Sequence, residues 1–142
     1  MKHRVPLLRL AGLAALALLL AGCPTGKIAQ TRQQTLDQYE KVVRWSQWNG
    51  AVDFLAPEYL EENPVSRLDV ERLDLFRVTS YTVGQVAIAE DGLSLVQVVE
   101  IRLYNRTKAV ERAIIDQQTW RYDEERERWY LHSGLPDVTR RY

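Results

Sequence analysis

Asp116 is the residue with the clearest chemical promise, set in the run Ile114-Ile115-Asp116-Gln117-Gln118. A carboxyl group in a partly apolar wall has its charged form disfavoured, so its pKa rises toward the range of a general base. Strand alternation places it on one face with Gln97, Val99, Arg112, Gln118 and Trp120. The competing arrangement is an ion pair with Arg112 on that face. Glu100 and Arg102 fall on the opposite face with Val96, Val98 and Tyr104, where they are expected to form an exposed ladder with Glu111. His132 sits alone near the end of the last strand, the ordinary place for a surface histidine. The sequence lacks a Gly-x-Ser-x-Gly nucleophile turn, a glycine-rich phosphate loop, and a His, Cys or carboxylate cluster at ligand spacing. The expectation is no metal, no cofactor and no complete catalytic set. Asp116 is the one candidate acid/base, with Tyr81 or Tyr104 as a hydrogen-bond donor. Trp45, Tyr81, Val99, Arg112, Asp116 and Trp120 are the candidates to line a pocket, although tryptophans on a helix face and on adjacent strands more commonly form core.

The single cysteine, Cys23, excludes an intrachain disulfide and has a different context. Lys2, Arg4 and Arg9 precede the unbroken apolar run Leu10–Leu20, which is too short to cross a hydrocarbon core of about 30 Å comfortably. Leu20-Ala21-Gly22-Cys23 follows and resembles the lipobox of bacterial lipoproteins. The resemblance implies cleavage before Cys23, a diacylglycerol thioether on its sulfur and further acylation, of the palmitate kind, on the freed amine. Two or three acyl chains, at about 0.8 kcal/mol per buried CH₂, make a stable anchor. Pro24 is not acidic, and the same family pattern then favours the periplasmic side of the outer membrane over the inner membrane.

The chain divides into a signal peptide at 1–22, the lipidated cysteine and a short tether at 23–28, one domain at 29–135 and a tail at 136–142. Arg140-Arg141 in the tail is a small basic group suited to anionic lipid. Of 19 basic and 19 acidic side chains, three basic ones lie in the leader, leaving 16 against 19 and a net charge of −3. A slightly acidic domain has no electrostatic reason to bind nucleic acid. The implied partners are the membrane, through lipid, and an envelope protein, with the oligomeric state open.

Elements that position the candidates follow from periodicity. Ala29 to Trp48 reads as helix, with Leu36, Tyr39 and Val43 forming one apolar stripe that Trp45 and Trp48 extend. Asn49-Gly50 is the expected stop, followed by a short helix from Ala51 to Leu55 and a turn opened by Pro57 and closed at Asn63-Pro64. Strands are expected at Leu73–Val83, with Tyr81 on the Arg77 face, at Gln85–Ala89 after a break at Gly84, at Ser94–Asn105, at Val110–Tyr122 and at Arg128–His132. Asp91-Gly92 turns one hairpin, and Pro136 ends the structured part. Charge and apolar matching favours a register in which Tyr104 faces Ala109, Arg102 faces Glu111, Val98 faces Ile115 and Val99 faces Ile114.

The fold class is therefore α+β: a bent N-terminal helical layer on a curved antiparallel sheet of about five strands. The long first helix, the corner Trp48–Glu58 and the closing hairpin Trp120-Arg121-Tyr122 … Arg128-Trp129-Tyr130-Leu131 resemble the NTF2-like (cystatin-like) superfamily. That resemblance implies a cone with a pocket between helix and sheet, and no particular activity. The function expected is a non-catalytic, membrane-anchored envelope module that binds a partner protein or a small apolar ligand. The alternatives are an NTF2-like isomerase or hydratase using Asp116, and a structural spacer in an envelope complex.

Overall fold

A computed structural model of the chain describes residues 24–139. Residues 1–23, with the expected leader and the expected acylation of Cys23, and residues 140–142, with the basic pair of the tail, lie outside the described residues. The described chain is α+β, with four helices preceding a four-stranded antiparallel sheet in the order β1-β2-β3-β4.

Helix α1 spans Pro24–Arg44. Pro24 suits a first helical position because its missing N–H would be unpaired there anyway, and Lys41 and Arg44 complement the dipole in the last turn. The residues read as a tether are thus already helical. Tyr39 and Val43 are fully buried, with Leu36 and Val42 packed beside them. The helix ends earlier than the Asn-Gly signal suggests. Ser46 takes a left-handed φ of 54°, its N–H donates to Val43 O, and Gln47 N–H donates to Val42 O. Those two bonds form a Schellman stop with serine where glycine is usual. The same serine also ties the helix end to the sheet, because its Oγ accepts from Val78 N at 3.0 Å.

Helix α2 (Trp48–Val52) contains Asn49-Gly50 instead of following it. Helix α3 (Pro57–Glu62) opens with Pro57 as expected. Helix α4 (Arg67–Leu73) occupies residues for which periodicity suggests no element, apart from Leu73, which was expected to begin a strand. It is held by a capping box in which Ser66 Oγ accepts from Asp69 N and Asp69 Oδ2 accepts from Ser66 N.

The strands are β1 (Phe76–Ile88), β2 (Ser94–Asn105), β3 (Glu111–Asp123) and β4 (Arg128–Leu131). The strand expected separately at Gln85–Ala89 is the continuation of β1 past an irregularity between Val83 and Val86, so the described sheet has four strands and not five. Gly84 permits that irregularity because a Cβ there would come within 3.2 Å of Val98 O. An earlier bulge lies between Val78 and Ser80. Its extra residue, Thr79, inverts the alternation, and Tyr81 turns inward opposite Ile101 instead of outward with Arg77. Between β2 and β3 the pairs are Tyr104–Glu111, Arg102–Ala113 and Val99–Asp116. The register sits two residues from the one expected, and a shift of two preserves every side chain's face.

Helix α1 crosses the sheet obliquely. Near its start, Lys27 pairs with Glu127 at 3.5 Å, Trp129 Nε1 donates to Ile28 O, and Arg32 lies over the Trp129 ring, at β4 and the turn that leads into it. Near its end, Trp45 O and Ser46 Oγ bond Arg77 and Val78, at the start of β1. Midway, Tyr39 packs edge-on against Trp120 at 5.1 Å and Phe54 at 5.4 Å. The far half of β1 is left uncovered by this crossing.

The chain past Pro136 is packed and not a free tail, since Val138 belongs to the core cluster. Gly134 makes that return possible: its φ is +82°, and the Tyr59 hydroxyl occupies the place a Cβ would need. Gly134→Ala is expected to lower unfolding stability by about 1–3 kcal/mol, measured by urea denaturation, whereas Gly26→Ala, with open space around it, should change it by less than about 0.5 kcal/mol.

Candidate functional site

The inner face of the sheet is an array of columns. Leu95, Gln97, Val99, Ile101 and Leu103 alternate inward along β2, and all are buried. Beside them on β3 stand Trp120, Gln118, Asp116, Ile114 and Arg112, and on β1 stand Ile88, Val86, Val83, Tyr81 and Val78. Two glutamines and a carboxyl group at the centre of this largely apolar surface must be satisfied internally.

Gln118 satisfies them. Its Oε1 accepts from Gln97 Nε2 at 2.8 Å, from Tyr81 Oη at 3.2 Å and from Trp120 Nε1 at 3.2 Å. Its Nε2 donates to Asp116 Oδ2 at 2.7 Å and to Tyr81 Oη at 3.0 Å. One side chain thereby links β1, β2 and β3 across the core. Burial pushes the Asp116 carboxyl up to about 6, partly offset by the bond from Gln118. The Tyr81 hydroxyl is raised chiefly by burial. Tyr39 is raised by burial and then by the Asp116 and Tyr81 charges, and its Oη is one of two buried polar atoms without a partner among the described residues, with Trp48 Nε1.

The sequence candidates separate accordingly. Val99, Asp116 and Trp120 share the inner face as expected, and Tyr81 joins them only because the Thr79 bulge reverses its direction. Arg112 does not form the competing ion pair with Asp116; its guanidinium lies 5.2 Å from the Phe76 ring centroid. Tyr104 faces the other side, opposite Glu111, so of the two proposed donors only Tyr81 is near Asp116. Trp45 leaves the group altogether, being 73% exposed past the helix end. The outer ladder is present, with Arg102 3.4 Å from Glu100 and 3.3 Å from Glu111. His132 sits beside Arg121 and Glu58; burial and the Arg121 charge lower its pKa.

A groove of about 260 Å³ opens between α1 and the uncovered half of β1. Its floor is Val83, Val86 and Ile88, each 43–50% exposed, with Leu95, Tyr81 and Gln97 deeper. Arg32, Gln33, Leu36, Asp37 and Glu40 of α1 form the facing wall. Asp116 is not among the residues lining this groove. Sequence reasoning misses Val83, Val86 and Ile88 because their inward direction depends on the two irregularities in β1. The alternation of Val86 and Ile88 after Gly84 is the signal that could have found them.

Among the described residues, no group of three or more His, Cys, Asp or Glu is placed to hold a metal ion. No described helix is long and apolar enough to cross a membrane. No family profile, curated protein or solved structure matches the chain.

The raised carboxyl has a thermodynamic consequence. The folded chain holds the Asp116 proton more tightly than the unfolded chain, whose value is near 3.8. The associated stability is complete below about pH 4 and is lost as pH rises through about 6. Asp116→Asn keeps an acceptor for Gln118 without the charge. It is expected to be more stable than the parent by about 1–3 kcal/mol at pH 7 and equal to it near pH 3.5, as read from denaturation curves at the two pH values.

Proposed function

We propose that the chain is a lipid-anchored, non-catalytic binding module of the bacterial cell envelope, tethered through Cys23, that takes a small apolar ligand in the α1–β1 groove. The carrying observation is the exposed aliphatic floor of Val83, Val86 and Ile88 within a concave, polar-rimmed site. Ligand sites combine apolar walls with a few placed polar groups, and drug-sized ones run from about 300 to 1,000 Å³. At about 260 Å³ this groove suits a smaller molecule, with the Tyr81 and Gln97 side chains at its deeper wall.

The anchor agrees with that ligand class. Helix α1 begins at Pro24, next to the proposed anchor, which supports a domain held close to the membrane. Arg32, at one end of the groove, follows Pro24 by about 12 Å along the helix axis. An apolar molecule leaving the bilayer has a short path to the floor. The oblique helix on a curved antiparallel sheet is the part of the architecture that supports an NTF2-like cone, and the outer membrane is the compartment favoured by Pro24.

The enzyme reading, an isomerase or hydratase with Asp116 as base and Tyr81 as donor, draws on the raised carboxyl pKa and the inward Tyr81. It requires a substrate atom at Asp116. The groove presents Tyr81 and Gln97 to a ligand but not that carboxyl group, which is engaged by Gln118.

Two measurements test the proposal. Cys23→Ser is expected to abolish incorporation of radiolabelled palmitate, and a labelled variant would contradict anchoring. Val86→Asp places a charge on the apolar floor and is expected to weaken binding of the neutral probe N-phenyl-1-naphthylamine by about tenfold or more. Unchanged probe affinity in that variant would remove the groove from the account.

A further inference from the structure

The other end of α1 carries a second concavity of different chemistry. A cleft of about 590 Å³ lies between the last turn of the helix and the start of β1, walled by Glu40, Lys41, Arg44, Trp45, Arg77 and Thr79. Trp45 is the only one of the four tryptophans that is exposed, at 73%; Trp48, Trp120 and Trp129 are buried. Its backbone is nevertheless fixed. Trp45 N donates to Lys41 O, Arg77 Nη1 donates to Trp45 O at 3.4 Å, and the neighbouring Ser46 is bonded to Val78. The backbone beneath the indole is held in place and the ring face is open to a ligand.

Three cations surround that platform against one carboxylate. Arg44 stands 3.9 Å from Glu40, while Lys41 and Arg77 have no carboxylate within ion-pair distance among the described residues. Apart from Trp45 and Val78, the walls are formed by polar or charged side chains. The face of an indole carries negative charge density that attracts the polarised C–H groups of a ring. Guanidinium and ammonium groups supply the complement for carboxylate or phosphate oxygens.

The geometry points to a binding site for an anionic saccharide, with a sugar ring stacked on Trp45 and its acidic groups held by Lys41, Arg44 and Arg77. The site lies about 30 Å along α1 from Pro24. It shares only Glu40 with the apolar groove and does not depend on the reading given to that groove. An acidic protein segment would use the cations without needing the ring platform, and this difference is measurable.

The full chain, purified in a detergent without a sugar headgroup, is titrated with trigalacturonate, maltotriose and hexaglutamate. Acrylamide quenching of tryptophan fluorescence reports on Trp45, the exposed tryptophan. Trigalacturonate is expected to protect Trp45 and shift its emission to shorter wavelength, with little effect from maltotriose or hexaglutamate. Arg77→Gln should weaken trigalacturonate binding about tenfold. Lys41→Gln, at an exposed helix position, should weaken it about threefold while leaving quenching of the free protein unchanged. Calorimetry on Trp45→Ala should show binding largely lost. Protection by hexaglutamate equal to that by trigalacturonate, trigalacturonate affinity unaltered in both charge variants, or no protection by trigalacturonate would each overturn the assignment.

Discussion

Tyr39 fixes where the long helix lies, and the position of that helix determines both concave surfaces. Its ring stands edge-on to Trp120 of β3 and to Phe54 after α2, at interplanar angles of 80° and 70°. Perpendicular aromatic contacts of this kind add about 0.5–1.5 kcal/mol each beyond the area they bury, and they are directional. With the helix centre held over β3 and its ends bonded at β4 and β1, its axis cannot run parallel to the strands. An oblique crossing covers one diagonal of the sheet and leaves a corner of β1 bare. The apolar groove is that corner. The cleft at Trp45 is the place where the same helix runs past the sheet and stops.

A second constraint acts beneath the first. Tyr81, Gln97, Asp116, Gln118 and Trp120 put five polar side chains into a surface that the helix must cover. Gln118 makes this tolerable by saturating both ends of its amide within the network. The arrangement is not free of penalty, because Asp116 is held above its ordinary pKa and the Tyr39 hydroxyl has no partner among the described residues. Buried networks of this kind specify one geometry more than they add stability. Here the specified feature is the alignment of three strands, which sets the depth of the groove floor.

The fold was legible where local chemistry and tertiary demand agree. Tyr39 and Val43 declare the buried stripe of α1, Pro57 opens α3, Asp91-Gly92 turns the β1–β2 hairpin with Gly92 at a φ of 71°, and the inward column of β2 follows from strict alternation. It was not legible where a residue serves a distant partner. Ser46 stops α1 in a conformation usually left to glycine because its hydroxyl receives Val78 N–H, a contact 32 residues away. Ser66 and Asp69 do spell a capping box, one that is easily passed over because Asp takes the place of the more usual Glu. Thr79 reads as one more strand residue, yet as a bulge it turns Tyr81 into the core. Of the site, Asp116 and its face could be read because a register error of two leaves faces intact. Trp45 could not, since a helical stripe gives no warning that the helix will end beyond the edge of its sheet.

The central claim is that the bare corner of β1 is a ligand floor, and methyl-resolved NMR of the full chain titrated with 1-decanol addresses it most directly. The account predicts saturable shifts concentrated at Leu36, Val83, Val86, Ile88 and Leu95, with Val43, Ile101 and Leu103 unmoved. Shifts spread evenly over surface methyl groups, or confined to residues away from this corner, would contradict it.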